Sequence, residues 1–256
     1  MASNKLGAAD PAGGMSARGS MLAGLIGIVI GGSAVALWAD RKEGAGGSRA
    51  EMEGVVRDYI LANPEILPEA MERLQQRSTA ETIEANRAAF ETPFAGAWAG
   101  AQQGDVVLVE FFDYACGFCR KSNADVERLL REDPKLKVVW REWPVLGPNS
   151  LAAAEASLAA ARADRFQEFH DRLFASGRPT PQAIVAAQQA AGITPEQVAA
   201  MRGSLQAREE LERNHKLATS LNASGTPTFV IGDQLLQGAI GYEALKAAIA
   251  RAREKA

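Results

Sequence analysis

The part of this chain that most restricts its fold is residues 105–142, which read as strand, thiol pair, helix, strand. Residues 105–112, DVVLVEFF, are an almost unbroken run of β-branched, aromatic and other apolar side chains, the pattern of a strand buried on both faces. Asp113-Tyr114-Ala115 follows, then Cys116-Gly117-Phe118-Cys119, then RKSNADVERLLRED, a helix that must stop at Asp133-Pro134. A second buried strand, LKVVWRE at 136–142, comes next. Two parallel strands joined by one helix form a βαβ unit, right-handed by the rule for such crossovers, with the cysteines at the start of the helix.

That placement has a chemical consequence. A thiol at a helix N-terminus faces the positive end of the macrodipole and backbone N–H groups without partners inside the helix, and both favour thiolate over thiol. The second thiol, one turn on, is within reach to resolve any mixed disulfide formed by the first. On this reading Cys116 is the exposed, attacking thiolate and Cys119 the resolving thiol. Two other uses of the pair stay open from the residues alone: an inert cross-link, and a soft-metal ligand pair for Cu(I). Two cysteines cannot supply a four-thiolate zinc site, and the two histidines, His170 and His215, lie far off in sequence. No metal and no organic cofactor is expected.

Composition sets the outer limits. A chain of 256 residues, 47% of them apolar, can fill one or two domains with a core. Its 28 Lys and Arg against 31 Asp and Glu leave a net charge of -3. Nothing there suggests the clustered basic surface of a nucleic-acid binder, and no nucleic-acid partner is expected. Residues 21–38 are 18 residues without a charge, preceded by Lys5 and Arg18. As a helix they would span roughly 27 Å, enough for a bilayer core. Ala34-Val35-Ala36 has the form of a cleavage site, whereas the run is longer than the usual signal core of about 7–15 residues. Residues 1–40 therefore read as a signal peptide or an inner-membrane anchor. Either way, the positive residues in front keep the N-terminus in the cytoplasm and place the rest in the periplasm or another extracytoplasmic space.

Residues 41–50, which include EGAGGS, read as a flexible linker. From 51 to 91 the pattern is helical: Met52, Val55, Val56, Tyr59 and Ile60, then Ile66, Leu67, Ala70, Met71 and Leu74 after Asn63-Pro64. Such a stripe either packs on its own domain or pairs with copies of itself. The main domain runs from 92 to 256. Within it, residues 149–222 are alanine-rich and helical in period, broken at Gly177, Pro179, Gly192 and Gly203. His170 and His215 sit there among charged neighbours and read as surface residues without a role. Residues 228–231 and 234–236 form a hairpin around Gly232-Asp233, and 241–256 closes the chain as an amphipathic helix.

The stretch VEFFDYACGFCRKS resembles the active-site region of the DsbA family of thioredoxin-fold thiol-disulfide oxidoreductases, with similarity from about residue 105 to the C-terminal end. The resemblance implies an α/β thioredoxin fold with a helical insertion, Cys116 and Cys119 as the redox pair, and no cofactor. It implies that Glu110, six residues before Cys116, is a buried carboxylate that assists proton transfer at Cys119; a carboxyl in an apolar strand has a raised pKa. The residues alone leave open a strand-edge glutamate facing water. Within GTPTFVI the resemblance puts a cis bond at Thr226-Pro227 beside the cysteines, with the Thr226 backbone turned to pair with an extended client. An ordinary trans-proline turn is the alternative. Thr226, Pro227, Gly117 and Phe118 are the substrate-contacting residues so implied. Gly117-Phe118 lacks the histidine of the strongly oxidising members, which shifts weight towards a moderate oxidase or an isomerase. The segment EMEGVVRDYILANPEILPEAMERLQQR is similar to the helical extension of ScsC-like, copper-resistance-associated members, which implies a homo-oligomer through residues 51–91. The implied partners are cysteine-containing client proteins and a membrane redox partner. A copper-binding or chaperone-like protein using the dithiol as a metal ligand is the alternative function.

Overall fold

Residues 48–255 are described by the computed structural model; the apolar run at 21–38 and most of the linker at 41–50 lie outside them. Among the described residues, five strands form one mixed sheet: β1 (Trp98–Gly100), β2 (Val106–Phe112), β3 (Leu136–Glu142), β4 (Thr228–Ile231) and β5 (Gln234–Gln237), in the order β1-β3-β2-β4-β5. β2 is the central strand. It runs parallel to β3, with Val106 opposite Leu136 and Phe112 opposite Glu142, and antiparallel to β4, with Leu108 opposite Ile231. A strand covered on both faces cannot alternate polar and apolar residues, and six of its seven residues are buried. β1 pairs antiparallel with β3. Its three residues are too few to give a periodic signal, and it ends at Gly100 (φ +87), where a Cβ would collide with the Leu136 carbonyl oxygen.

The described residues fall into two compact units divided after Glu69, and no helix among them is long and apolar enough to cross a membrane. Helix α1 (Arg49–Ala62) begins at a capping box: the Glu51 N–H donates to the Ser48 hydroxyl oxygen, and the Ser48 N–H donates to the Glu51 carboxylate. Helical structure therefore starts two residues before the position expected from the apolar stripe. No residue of α1 is buried. Helix α2 (Ile66–Ala85) begins in the first unit and continues into the second, where Thr79 and Ile83 are buried, and the short α3 (Arg87–Glu91) buries Phe90.

In the second unit α4 (Gly117–Glu132) joins β2 to β3. Five helices then separate β3 from β4: α5 (Pro148–Arg162), α6 (Phe166–Ala175), α7 (Pro181–Ala190), α8 (Pro195–Met201) and α9 (Leu205–Ser220). Thr180, Thr194 and Ser204 cap the last three through their side-chain oxygens, and Pro181 and Pro195 occupy first-turn positions where no N–H is needed. Helix α10 (Tyr242–Lys255) ends the described chain.

Side-chain alternation sorts the core onto two faces of the sheet. Leu108, Phe112, Val138, Trp140, Phe229 and Ile231 share one cluster with residues of α4 to α8 and α10, including both cysteines. Val109, Phe111, Val139 and Val230 join Ile83, Phe90, Leu217 and Leu221 in the other. On that second side Arg141 is 1% exposed and forms a clamp. Its Nη1 donates to Glu210 Oε1 (3.1 Å) and Asn214 Oδ1 (3.0 Å), and its other nitrogens donate to the carbonyls of Ala89, Phe90 and Thr92.

Candidate active site

The cysteine pair stands at the end of β2, where the chain turns into α4. Two bonds shape that turn: the Cys116 N–H donates to the Asp113 carbonyl (3.0 Å), and the Ala115 N–H donates to Asp113 Oδ1 (2.8 Å). The second carboxylate oxygen of Asp113, itself buried, accepts from the N–H groups of Val145 (2.9 Å) and Leu146 (3.0 Å), so one side chain ties the cysteine turn to the loop after β3. Cys116 is the N-cap of α4. Its sulfur fills the role usually taken by a Ser or Asp oxygen, accepting the Cys119 N–H at 3.4 Å.

The Thr226–Pro227 bond is cis, and the Thr226 carbonyl accepts a hydrogen bond from the Cys116 thiol at 3.2 Å. The carbonyl expected to turn towards a client thus faces the sulfur. A hydrogen bond from the Cys119 thiol, then one from the Thr226 side chain, then the N–H groups of Cys119 and Phe118 outweigh partial burial and hold the Cys116 thiol at about 5. Cys119 is wholly buried, and that burial, reinforced by its bond to Cys116 and by the charge of Glu110, pushes its thiol far up. Both cysteines are free thiols. Cys116 is the more accessible of the two but only 6% exposed, with the Thr226 carbonyl against its sulfur. Gly117 and Phe118 project outward: Phe118 is 67% exposed, and a Cβ on Gly117 would meet nothing within 4 Å.

Glu110 lies on the central strand, with a neighbour on each side, and is buried rather than turned to water at a sheet edge. Its Oε2 accepts from Trp140 Nε1 (3.1 Å), and burial raises its carboxyl to about 8 against that bond, with the charge of Cys116 adding to the rise. Glu110 is close enough for its charge to raise the Cys119 thiol and for the charge of Cys116 to raise its own carboxyl. The expected site residues Glu110, Cys116, Cys119, Thr226 and Pro227 are therefore brought together from β2, α4 and the turn before β4.

One expectation is overturned. His170 is not a surface residue: it is fully buried, between Phe112, Trp140, Phe166 and Phe174, with ring centroids 4.8 to 5.1 Å away. That desolvation lowers it to about 3, so it is neutral. The signal was present in the sequence, since Phe166, Phe169, His170, Leu173 and Phe174 form one apolar stripe at i, i+3, i+4, i+7 and i+8; counting charged neighbours hid it. His215 is exposed, and its Nδ1 accepts from Trp143 Nε1 (3.1 Å). Asp113 and Tyr114 lie inside the motif, and the contacts that give them a part, to Val145 and Leu146 and to Ser157, are too distant in the chain to be read from it.

This sheet order, with helices on both sides and a dithiol at the head of α4, is the thioredoxin-like α/β class. The chain belongs to the family of DSBA-like thioredoxin domains, which matches residues 107–250 and whose members are thiol-disulfide oxidoreductases. Residues 49–81 match the N-terminal domain of copper resistance protein ScsC. A thioredoxin-like oxidoreductase from Silicibacter pomeroyi DSS-3 is 36% identical, with a TM-score of 0.63, covering 67% of this chain and 99% of that one. A linker-deletion mutant of Proteus mirabilis ScsC is 27% identical with a TM-score of 0.67, covering 81% of this chain and 95% of that one. The chain is also 30% identical over 160 residues to Na(+)/H(+) antiporter NhaA 1 of Salinispora arenicola; the match covers 60% of this chain and spans only 24% of that protein's length.

Proposed function

We propose that this protein forms or rearranges disulfides in extracytoplasmic client proteins through Cys116 and Cys119. The observation that carries the reading is the placement of the two sulfurs: Cys116 caps α4 with its Sγ accepting the Cys119 N–H at 3.4 Å, while Cys119 is wholly buried one turn on, an arrangement that lowers the first thiol and raises the second. In oxidation a client thiolate attacks Cys116 Sγ of the disulfide form, the bond to Cys119 breaks, and Cys119 leaves, taking a proton from the Glu110 carboxyl. A second client thiol, losing its proton to solvent, attacks the client sulfur of the mixed disulfide and releases Cys116 as a thiolate. Two electrons have then moved from client to enzyme, and a membrane redox partner removes them. In rearrangement the reduced Cys116 thiolate attacks a client disulfide, and a different client thiolate later expels it, with no net electron transfer. Thr226, Pro227, Gly117 and Phe118 line the place where the client backbone must pass. A thioredoxin-like protein from Salmonella enterica serovar Typhimurium that is 29% identical is described as periplasmic, which supports an extracytoplasmic location.

Replacing Cys119 by serine removes the internal escape route, so Cys116 should accumulate client mixed disulfides, seen as reducible higher-mass bands. A carrier that used the dithiol as a Cu(I) ligand would trap nothing and would simply lose metal affinity; that pair of results would end the redox reading.

We also propose that the helical extension joins copies of the chain. On α1 the side chains of Met52, Val55, Val56 and Tyr59 are exposed, and on α2 so are Leu67, Met71 and Leu74, each set at helical spacing on its own helix. Val55→Lys with Tyr59→Lys should lower the sedimentation mass to that of one chain. An unchanged mass would remove this assignment.

A further inference from the structure

Both ring nitrogens of His170 are hydrogen-bonded inside an aromatic cage: Nε2 meets Asn123 Oδ1 at 3.0 Å, and Nδ1 meets the Tyr114 hydroxyl at 3.2 Å. The direction of these bonds follows from one end. The Asn123 amide nitrogen donates to Glu127 Oε1 (2.7 Å), so its oxygen is left to accept, and His170 Nε2 must carry the proton. A neutral imidazole then has a bare Nδ1, which accepts from the Tyr114 hydroxyl. The Tyr114 oxygen, its proton committed, accepts from Ser157 Oγ at 2.9 Å. The chain runs one way, from Ser157 on α5 through Tyr114 and His170 to Asn123 on α4.

Its anchor points bracket the dithiol. Tyr114 lies two residues before Cys116, and Asn123 lies one turn after Cys119. The bond from the Cys119 N–H to Cys116 Sγ, 3.4 Å long, depends on where the turn that carries Cys116 sits against the first turn of α4, so a shift of that turn weakens it. We propose that Tyr114 and His170 are positioning residues, whose one-way hydrogen-bond chain locks the cysteine turn and α4 to the helical insertion and holds Cys116 Sγ on the amides that keep it anionic. This rests on the reading of Cys116 as the reacting thiol.

The test is the pH dependence of Cys116 alkylation in the reduced full-length protein, with its glutathione equilibrium measured alongside. Tyr114→Phe keeps the ring against Phe112, Phe169 and Phe174 and deletes only the oxygen. His170→Phe keeps an aromatic ring in the cage and deletes both nitrogens. Each should move the alkylation midpoint up by about one pH unit, roughly a tenfold loss of thiolate below the midpoint, and shift the glutathione equilibrium towards the disulfide form. His170→Gln, which offers one donor and one acceptor, should restore most of the loss. The double variant should do no more than either single one, since both interrupt one chain. A folded Tyr114→Phe protein with an unchanged midpoint and potential overturns the proposal even if its melting temperature falls, and so do single effects that add. If His170→Phe does not fold, Tyr114→Phe decides alone. Because the readout is thiol acidity, a midpoint shift without client trapping by Cys119→Ser would leave the network standing and remove the client reading instead.

Discussion

Arg141→Met should lower the stability of the reduced protein by about 3–5 kcal/mol, the cost typical of removing one partner from a buried ion pair. Arg141 and Glu210 are 1% and 2% exposed, so the variant leaves the buried Glu210 carboxylate with one cationic partner fewer, its Oε2 still paired with the half-exposed Arg213 guanidinium at 3.1 Å. It also leaves the carbonyls of Ala89, Phe90 and Thr92 without their donor, at the point where the chain leaves α3. Adding Glu210→Gln should recover part of the loss by removing a buried charge left with Arg213 alone, but not all of it, because the three carbonyls stay unsatisfied. Urea unfolding with the slope held common to all three proteins measures this. A loss below about 1 kcal/mol for Arg141→Met would mean that water reaches the site and that the clamp is ornamental.

The second large effect belongs to Glu110 and depends on pH. Its folded carboxyl, at about 8, lies above its ordinary value of 4.5. The folded state therefore binds a proton that the unfolded state has released, and the stabilisation this gives is complete below about 4.5 and lost as pH rises through 8. Glu110→Gln does not titrate, and its amide oxygen can still accept from Trp140. Relative to wild type the variant should gain stability steadily between pH 4.5 and 8, by at most about 1.4 kcal/mol per pH unit and roughly 5 kcal/mol over the window, and run level outside it. The comparison is made by urea unfolding of the reduced proteins at pH 4, 6 and 8. A stability difference that does not change with pH would show that Glu110 is ionised in the fold and unfit to hand a proton to Cys119. If the proton transfer is as proposed, the same variant should also slow the release of Cys119 from the disulfide form.

Much of this was legible in local sequence. β3 and β4 fall at the expected residues, and the five insertion helices start and stop within a few residues of their glycine and proline breaks. The Ser48 capping box and the strand β1 are weak signals in the sequence: the first rests on two residues just after a run of glycines, and the second is too short to have a period. At the site, Cys116 and Cys119 are marked by their spacing, whereas the burial of His170 is masked in the sequence because its charged neighbours lie in the chain and most of its aromatic ones in space.

What the sequence determined by itself is whatever depends on neighbours within a turn or two: the buried character of β2, the helix that starts at the first thiol, the caps and the breaks. Periodicity and capping are local, so they can be read without a fold. Only the tertiary structure decided how acid each group is. Thr226 reaches Cys116 across 110 residues of chain, Trp140 reaches Glu110 across 30, and Tyr114 meets His170 across 56. Desolvation and directed hydrogen bonds depend on which atoms surround a group in space, and that arrangement exists only once the sheet and the helical insertion have packed together.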